Sequence, residues 1–384
     1  MKILMINSVC GIRSTGRICT DIADELSKQG HTVKIAYGRE TVPEKYQKYA
    51  VRIGSDLNVK VDALTTRIFD NAGFNSKNAT KKFLEWVKEY DPDVIHLHNI
   101  HGYYINLPLL FEYLSKADKK VIWTLHDCWT FTGHCPHFTI AKCDRWKTGC
   151  HDCPQKKVYP TSMVFDRSEL NWKQKRKIFT SVKDMTIVTP SKWLAGLVKQ
   201  SYLKKYPVVV INNGIDTTVF KPTPSDFRKK YSLEGKKIIL GVQSSWSESK
   251  GLNDFIELSK KLNENYAIVL VGLKEKQIRQ MPEKIICISR TNSQTELAEI
   301  YTAADVLFNP TYEDNYPTVN LEAQACGTPV VTYNTGGSPE SVPKENVITA
   351  HDYNSLIKIL RSNAEIFDSS FSAIKCIKDY LMLY

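Results

Sequence analysis

Apolar positions along the chain gather into short continuous runs rather than alternating with polar ones. They occur at 2–7, 32–37, 93–99, 120–126 and 185–190, and again at 208–213, 237–243, 267–272, 285–289, 306–309, 329–333 and 346–349. Segments such as KIILGV and AIVLVG are apolar at nearly every position, as strands buried on both faces of a parallel sheet must be. Between the runs the period lengthens. Ile18, Ile22 and Leu26 recur every fourth residue within 17–29 and Gly30 closes the stretch, which predicts a helix. Strands alternating with helices predict an α/β fold with parallel sheets, and 384 residues suffice for two doubly wound domains. The join is expected between about 186 and 215, near TPSKWL or INNGID. Ligands of such sheets bind beyond the carboxyl ends of the strands, so a shared ligand is expected in a cleft between domains.

One segment of the second half concentrates chemistry. Residues 311–337, TYEDNYPTVNLEAQACGTPVVTYNTGG, predict a helix over about 317–326, with Pro317 at the first helical position and Gly327 and Pro329 as the stop. Amides from about Thr318 to Asn320 would be free to receive an anion, helped by the macrodipole, and a pyrophosphate would fit there. Asp314 precedes the helix and Glu322 sits about one turn inside it. The plain alternative is an acidic loop and one helix-surface Glu, because charged residues usually face water. In the first half the loop NSVCGIRSTGRI follows the first strand. Gly11 and Gly16 allow close backbone approach, Ser14 and Thr15 could cap the next helix, and Arg13 and Arg17 suit a phosphate as well as they suit a solvated turn. There is neither a GxGxxG fingerprint nor a GK[ST] loop, so a dinucleotide oxidoreductase is unsupported.

Composition narrows the classes. Hydrophobic residues at 42% and charged residues at 24% are ordinary for a globular protein. No window approaches 18 consecutive apolar residues, and Met1 runs straight into KILMIN without a cleavage region, so a cytoplasmic protein is expected. A net charge of +11 implies an acidic partner, but no helix-turn-helix, RNP or finger spacing supports nucleic acid. The stretch 165–179 mixes Phe165, Leu170, Trp172, Ile178 and Phe179 with five Lys or Arg, and could either lie on anionic lipid headgroups or be a surface helix with a solvated basic side. Cys135, Cys143, Cys150 and Cys153 fall within nineteen residues, close enough for a structural zinc site that folds an insert. Reduced thiols, or a redox pair at Cys150 and Cys153, are the alternatives. His134, His137 and His151 are substitute ligands, and Cys128 is spare.

The combination GIRSTGRI, WTLHD, TPSKWL, INNGID, SKG, EDNYPTVNLEAQACGTPVV and TGGSPE resembles the retaining GT-B glycosyltransferases that use nucleotide sugars, nearest to bacterial capsule, exopolysaccharide and colanic-acid-type enzymes. The likeness covers nearly the whole chain. It implies two Rossmann-like domains: 1–190 on the acceptor side with a Cys-rich insert at about 128–180, 191–370 binding the nucleotide sugar, and a helix at 371–384 returning to the first domain. It implies that Lys250 offsets charge on the departing diphosphate, Glu322 holds ribose hydroxyls, Asp314 contacts the donor sugar, and Thr318 and Val319 give amides to the pyrophosphate. Gly16 and His126 would lie near the donor, with His126 beside the reacting bond; taken alone, outside this set of motifs, His126 reads as a core histidine, and Lys250 has a surface lysine at a helix start as its alternative. His96 and His98 alternate on a strand and read as structural rather than metal-binding. Two departures concern the centre of the site. Glu313 precedes Asp314 where the family has a Glu, and Ser245 replaces a frequent phosphate-binding Arg, a loss that Arg13 or Arg17 could make good. The resemblance implies transfer with retention to a saccharide or polyprenyl-linked acceptor, no catalytic metal, and a location that could extend to the inner face of the plasma membrane. A GT-B epimerase or a non-catalytic sugar-nucleotide-binding partner is the alternative.

Overall fold

The computed structural model describes residues 1–362 and 373–384. Two compact units emerge, Met1–Asn212 with Cys376–Tyr384, and Asn213–Lys375. The first is built on a seven-stranded sheet: β1 (Lys2–Asn7), β2 (Thr32–Tyr37), β3 (Ala50–Arg52), β4 (Val94–Leu97), β5 (Lys120–Thr124), β6 (Met185–Thr189) and β7 (Val208–Val210). The second carries six strands: β8 (Lys237–Val242), β9 (Tyr266–Val271), β10 (Ile285–Ile288), β11 (Val306–Asn309), β12 (Val330–Tyr333) and β13 (Val347–Ile348). The orders are β3-β2-β1-β4-β5-β6-β7 and β10-β9-β8-β11-β12-β13, and every pairing is parallel. Such an order reverses once in each sheet, between β1 and β4 and between β8 and β11, and there the loops leaving the two strands part to opposite faces.

The apolar runs become the sheet interiors because both faces are covered. Ile3, Leu4 and Met5 of β1 and Ile239 and Leu240 of β8 are fully buried. β3 escaped the sequence reading because it is three half-buried residues at an edge. The first unit extends to Asn212, beyond the division expected at 190, because β6, the helix Lys192–Val198 and β7 complete its sheet. The expected limits at 370 and 371 lie outside the described residues. The helix Ala373–Leu381 continues into the first unit, where Tyr384 Oη lies 2.6 Å from His96 Nδ1 and Tyr380 Oη 3.0 Å from Thr124 Oγ1.

The stretch 165–179 turns inward. Its helix, Ser168–Phe179, buries Trp172 and Phe179, and Ile178 packs on the same core. Lys175 is buried too: its ammonium sits 3.2 Å from the centre of the Trp129 ring and donates to the carbonyls of Trp129 and Thr132 at 2.9 and 3.2 Å. Burial pushes its pKa down to about 7. The apolar side expected to meet lipid therefore covers the core, leaving Phe165 and Leu170 exposed. Among the described residues no helix is long and apolar enough to cross a membrane.

Candidate active site

In the second unit the chemistry-bearing residues lie on the loops leaving β8 and β11, the two strands at the sheet's reversal. Lys250 ends a short turn, Glu248–Lys250, and Gly251 follows at φ +73°. A side chain at Gly251 would place its Cβ 2.3 Å from the Pro310 carbonyl oxygen, so only glycine lets the two loops approach this closely. Tyr312 N–H donates to Ser249 O at 2.9 Å across the same seam. The approach brings Lys250 Nζ 2.6 Å from Asp314 Oδ2 and 3.1 Å from the Glu313 carbonyl oxygen. Asp314 Oδ1 accepts from the Asn315 amide at 2.8 Å, so both carboxylate oxygens are directed. The Thr335–Gly337 turn closes from the other side: Gly337 N–H donates to Asp314 O at 3.1 Å, and Gly336, at φ +57°, would drive a Cβ to 2.2 Å from that oxygen.

The helix runs Thr318–Ala325, with Pro317 as its N-cap at ψ 120° rather than as its first helical residue. Asn320 N–H bonds back to Pro317 O at 3.2 Å, so the amides offered at this helix start are those of Thr318 and Val319, not the three expected through Asn320. A buried network fixes the helix on the strand ends. Asn309 Nδ2 donates to Asn320 Oδ1 at 2.8 Å, Asn320 Nδ2 to Ser341 Oγ at 2.9 Å, and Gln324 Nε2 to Ser341 O at 2.9 Å. Sequence reading missed Asn309 and Ser341, since nothing local marks a polar residue that will be buried among polar partners. Glu322 is buried and accepts from Tyr301 Oη at 3.0 Å, about 6 Å along the helix axis from Thr318. Glu313 is buried beside the partly exposed Asp314, and Ser245 is exposed in the loop after β8.

In the first unit Asn7, at the end of β1, holds the switch point. Its Nδ2 donates to Val9 O at 2.7 Å and its Oδ1 accepts from Asn99 N–H at 3.1 Å, tying the loops after β1 and β4. The helix Arg13–Lys28 starts with Ile12 as an N-cap that makes no side-chain bond, so Ser14 and Thr15 do not cap it; Thr15 Oγ1 instead accepts from Asn7 Nδ2 at 3.4 Å. Gly16 is buried, its carbonyl receiving Gly11 N–H at 3.1 Å. Arg13 is engaged by Glu40 at 2.6 Å, and Arg17 lies half-buried one turn on.

His126 follows β5, and its Nε2 lies 3.0 Å from His98 Nδ1. Burial lowers the His126 pKa to about 4, against the pull of Asp127, so its ring is neutral near pH 7. Burial, with His96 and His126 adding to it, holds His98 well below its usual range as well. His98 Nε2 is buried with no partner among the described residues. Orphaned buried N–H groups are rarer than under-satisfied acceptors, so we assign the His98 proton to Nδ1, which makes His126 Nε2 the acceptor and leaves the His126 proton on Nδ1. His96 is buried, its ring 4.1 Å from that of His98, and its Nε2 lies 2.8 Å from Thr124 Oγ1. A further pair escaped the sequence reading. His101 Nε2 lies 2.8 Å from Asp127 Oδ2, while Asp127 Oδ1 accepts from Trp129 N–H at 2.9 Å. Burial raises the Asp127 pKa, but His101 and the other donors outweigh it and bring it to about 2.

Cys135, Cys143, Cys150 and Cys153 converge on one small space shared with His134, Phe138, Trp146 and His151. Cys135 and Cys153 share a hydrogen bond that raises the first thiol and, with His134, brings the second down to about 7 despite burial. Cys150 Sγ accepts from Gly133 N–H at 3.1 Å, and His134 Nδ1 is taken up by Asp70 at 2.5 Å. Among the described residues no three His, Cys, Asp or Glu side chains are placed to hold a metal ion, so the zinc reading of these four cysteines finds no site. All four are free thiols lying near Phe138 and Trp146, and Cys135 and Cys153 hydrogen-bond to each other.

Comparison with known proteins follows this geometry. Residues 15–219 match Glycosyltransferase Family 4, and residues 224–362 match Glycosyl transferases group 1. The chain is 23% identical to WcaC of Escherichia coli (strain K12), whose name assigns it to colanic acid biosynthesis as a glycosyl transferase, over 97% of this chain and 92% of that protein. Among solved structures, sucrose-phosphate synthase from Thermosynechococcus elongatus superposes with a TM-score of 0.72 at 15% identity, covering 100% of this chain and 98% of that one. Alr3699/HepE of Anabaena, solved in complex with UDP, gives 0.64 at 16% identity over 100% and 94%. These likenesses carry the GT-B arrangement of two Rossmann-like folds.

Proposed function

The chain belongs to Glycosyltransferase Family 4, and from that premise we propose that it moves a sugar from a nucleotide-diphosphate donor to a saccharide or lipid-linked acceptor, with retention, in the building of a surface polysaccharide. The observation that carries the reading is the Lys250–Asp314 pair at 2.6 Å, held at the switch point of the second sheet four residues before the helix start at Thr318. A cation tied to Asp314, which itself stands four residues before a helix N-terminus, suits a diphosphate, the cation by charge and the helix start by aligned amides. The likeness to WcaC and to a UDP-bound fold relative supports the same reading.

The roles follow from the chemistry. Lys250 stabilises charge on the departing diphosphate, and Thr318 and Val319 add backbone N–H donors. Glu322, buried and already accepting one hydroxyl from Tyr301, is suited to accept those of a ribose. Asp314, with both oxygens directed, positions Lys250 and contacts the sugar, while buried Glu313 lends its carbonyl to Lys250. The resemblance adds Gly16 and Arg17, and gives neutral His126 the part of a hydrogen-bond donor to the sugar through Nδ1. No step needs a covalent nucleophile, since positioning and electrostatics lower the barrier for a front-face attack. Purified protein is incubated with UDP- and GDP-sugars, with and without saccharide and polyprenyl-phosphate-linked acceptors, and nucleoside diphosphate release and product anomer are followed. Acceptor-dependent release with the donor's anomeric configuration kept is expected; acceptor-independent isomerisation, or an inverted product, overturns the reading.

A further inference from the structure

A second concave site in the first unit lies apart from the switch point of its sheet. It forms where the helix Asp56–Phe69 meets the starts of three others, Lys77–Tyr90, Leu107–Lys116 and Ser168–Phe179, and its volume is about 870 Å³. Sites for small ligands span about 300–1,000 Å³. Asn7, Asn99 and His126, which mark the switch point, are not in its lining. A neighbouring cavity of about 570 Å³ shares Asn58 with it and has Trp86 in its wall.

The walls are held by their own hydrogen bonds. The helix Asp56–Phe69 turns its polar side inward and leaves the stripe Leu57, Val61, Leu64 and Ile68 exposed. On the inner side Asp62 accepts from Ser76 Oγ at 2.5 Å, Asn75 Nδ2 at 3.1 Å and Thr66 Oγ1 at 3.3 Å. Asn106 Nδ2 donates to the carbonyls of Phe74 and Asn75, each at 2.8 Å, and Asn106 N–H donates to Thr80 Oγ1 at 2.8 Å. Arg167 N–H donates to Asp70 Oδ2 at 2.8 Å, which fixes the last wall. Four elements are thus locked around one space, so little ordering is left for a ligand to impose.

The side chains in that space match a saccharide. Asn58, Asn71, Asn75 and Gln174 carry amides, each donor and acceptor at once, as a sugar hydroxyl is. Gln174 Oε1 and Arg167 Nε are buried with no partner among the described residues, and a ligand hydroxyl can donate to the first or accept from the second. Phe74 and Leu109 in the first cavity and Trp86 in the second are half-buried, and they offer apolar surface to the C–H face of a sugar ring. Charge then narrows the class. Lys77, Lys81 and Arg167 in the first cavity and Lys82 in the second make no ion pair among the described residues. The one acid among the described lining residues, Asp62, is already engaged by the three bonds above. Concave walls of one sign concentrate ions of the other. A bare phosphate would leave most of about 870 Å³ and its amides unfilled, whereas a chain of sugars reaches both cavities. We propose that these two cavities bind an anionic oligosaccharide, held apart from the switch point of the first sheet.

This goes beyond the transfer reading and is tested without a nucleotide sugar, so either can fail while the other stands. The full-length chain is titrated calorimetrically with trigalacturonate, phosphorylated maltotriose, neutral maltotriose and inorganic phosphate. At least one of the two anionic saccharides should bind tenfold or more tightly than neutral maltotriose and than phosphate, and which of them binds tells a carboxylate from a phosphoryl group. Lys77→Gln/Lys81→Gln should weaken that binding at least tenfold and Gln174→Met about fivefold. Both lysines are exposed and the Gln174 acceptor is unsatisfied, so the melting temperatures of the variants should match the parent. UDP should leave the saccharide bound. The proposal is overturned if neither anionic saccharide binds, if maltotriose or phosphate binds as tightly, if Lys77→Gln/Lys81→Gln binds like the parent, or if UDP displaces the saccharide.

Discussion

Replacing Lys250 by Ala separates a catalytic from a structural account of the second unit's site. The Lys250–Asp314 ion pair is partly exposed, with side chains 25 and 20% accessible. Pairs in that setting stabilise a protein by about 0–1 kcal/mol, so the variant should melt within about 4 °C of the parent. Its effect on turnover should be far larger. An ammonium about 4 Å from a phosphoryl charge, at an effective dielectric constant of about 20, contributes roughly 4 kcal/mol. The partial solvent access of Lys250 reduces this toward the roughly 3 kcal/mol typical of one removed donor to a developing oxyanion, or about a hundredfold in kcat/KM. Steady-state release of nucleoside diphosphate, read beside a calorimetric melt, gives both numbers. A variant whose kcat/KM falls less than fivefold while its melting point is unchanged would show that Lys250 is no more than a partner for Asp314, and the assignment of the diphosphate to this switch point would fall with it.

Gly336→Ala should act on the same site without removing any functional side chain: a left-handed alanine and a Cβ 2.2 Å from Asp314 O together cost about 1–3 kcal/mol, so calorimetry should show a melting point lower by several degrees and turnover should drop with it, and an unchanged melt would refute the tight packing of this turn. The histidines of the first unit predict an acid-sensitive fold. His96 is lowered to about 3 and His126 to about 4 by burial, and His98 is held well below its usual range. A depressed folded pKa means that the unfolded chain binds more protons below about pH 6.5, so stability present above that pH is lost as pH falls toward 4. His96 and His126 then contribute roughly 1.5 kcal/mol each between pH 6.5 and 5, seen as a shift in the urea midpoint, and a flat midpoint over that interval would contradict the neutral assignment on which the His126 donor role rests.

What could be read from the chain was whatever its neighbours in sequence already decide. Runs such as KIILGV and AIVLVG reappear as the buried strands β8 and β9 because burial on both faces demands a continuous apolar run. The helix following Asp314 was legible from Pro317, Gly327 and Pro329, to within a residue at each end. β3 was not, being three half-buried residues whose pairing with β2 no local pattern announces. Pattern also misled at 165–179, where apolar and basic residues suggested a lipid-facing side, yet the apolar side and Lys175 lie in the core. Cysteine spacing suggested zinc, and the thiols do converge, but Cys135 hydrogen-bonds to Cys153 and among the described residues no three ligands are placed for an ion.

Sequence by itself determined the α/β class and the family, and it named residues that the structure gathers at the switch point of the second sheet, because each is carried by local periodicity or by motifs whose spacing is fixed in the chain. Only the tertiary structure decided that Lys250 meets the carboxylate of Asp314 and merely the backbone carbonyl of Glu313, since that depends on positions 64 and 63 residues away being drawn to it where Gly251 passes Pro310. It alone showed that His98 orients His126, and that the stripe of Leu57, Val61, Leu64 and Ile68 faces outward. Helical spacing fixes which side chains share a face. Which way that face turns is settled by the partners packed against the opposite side, here the hydroxyls and amides that hold Asp62.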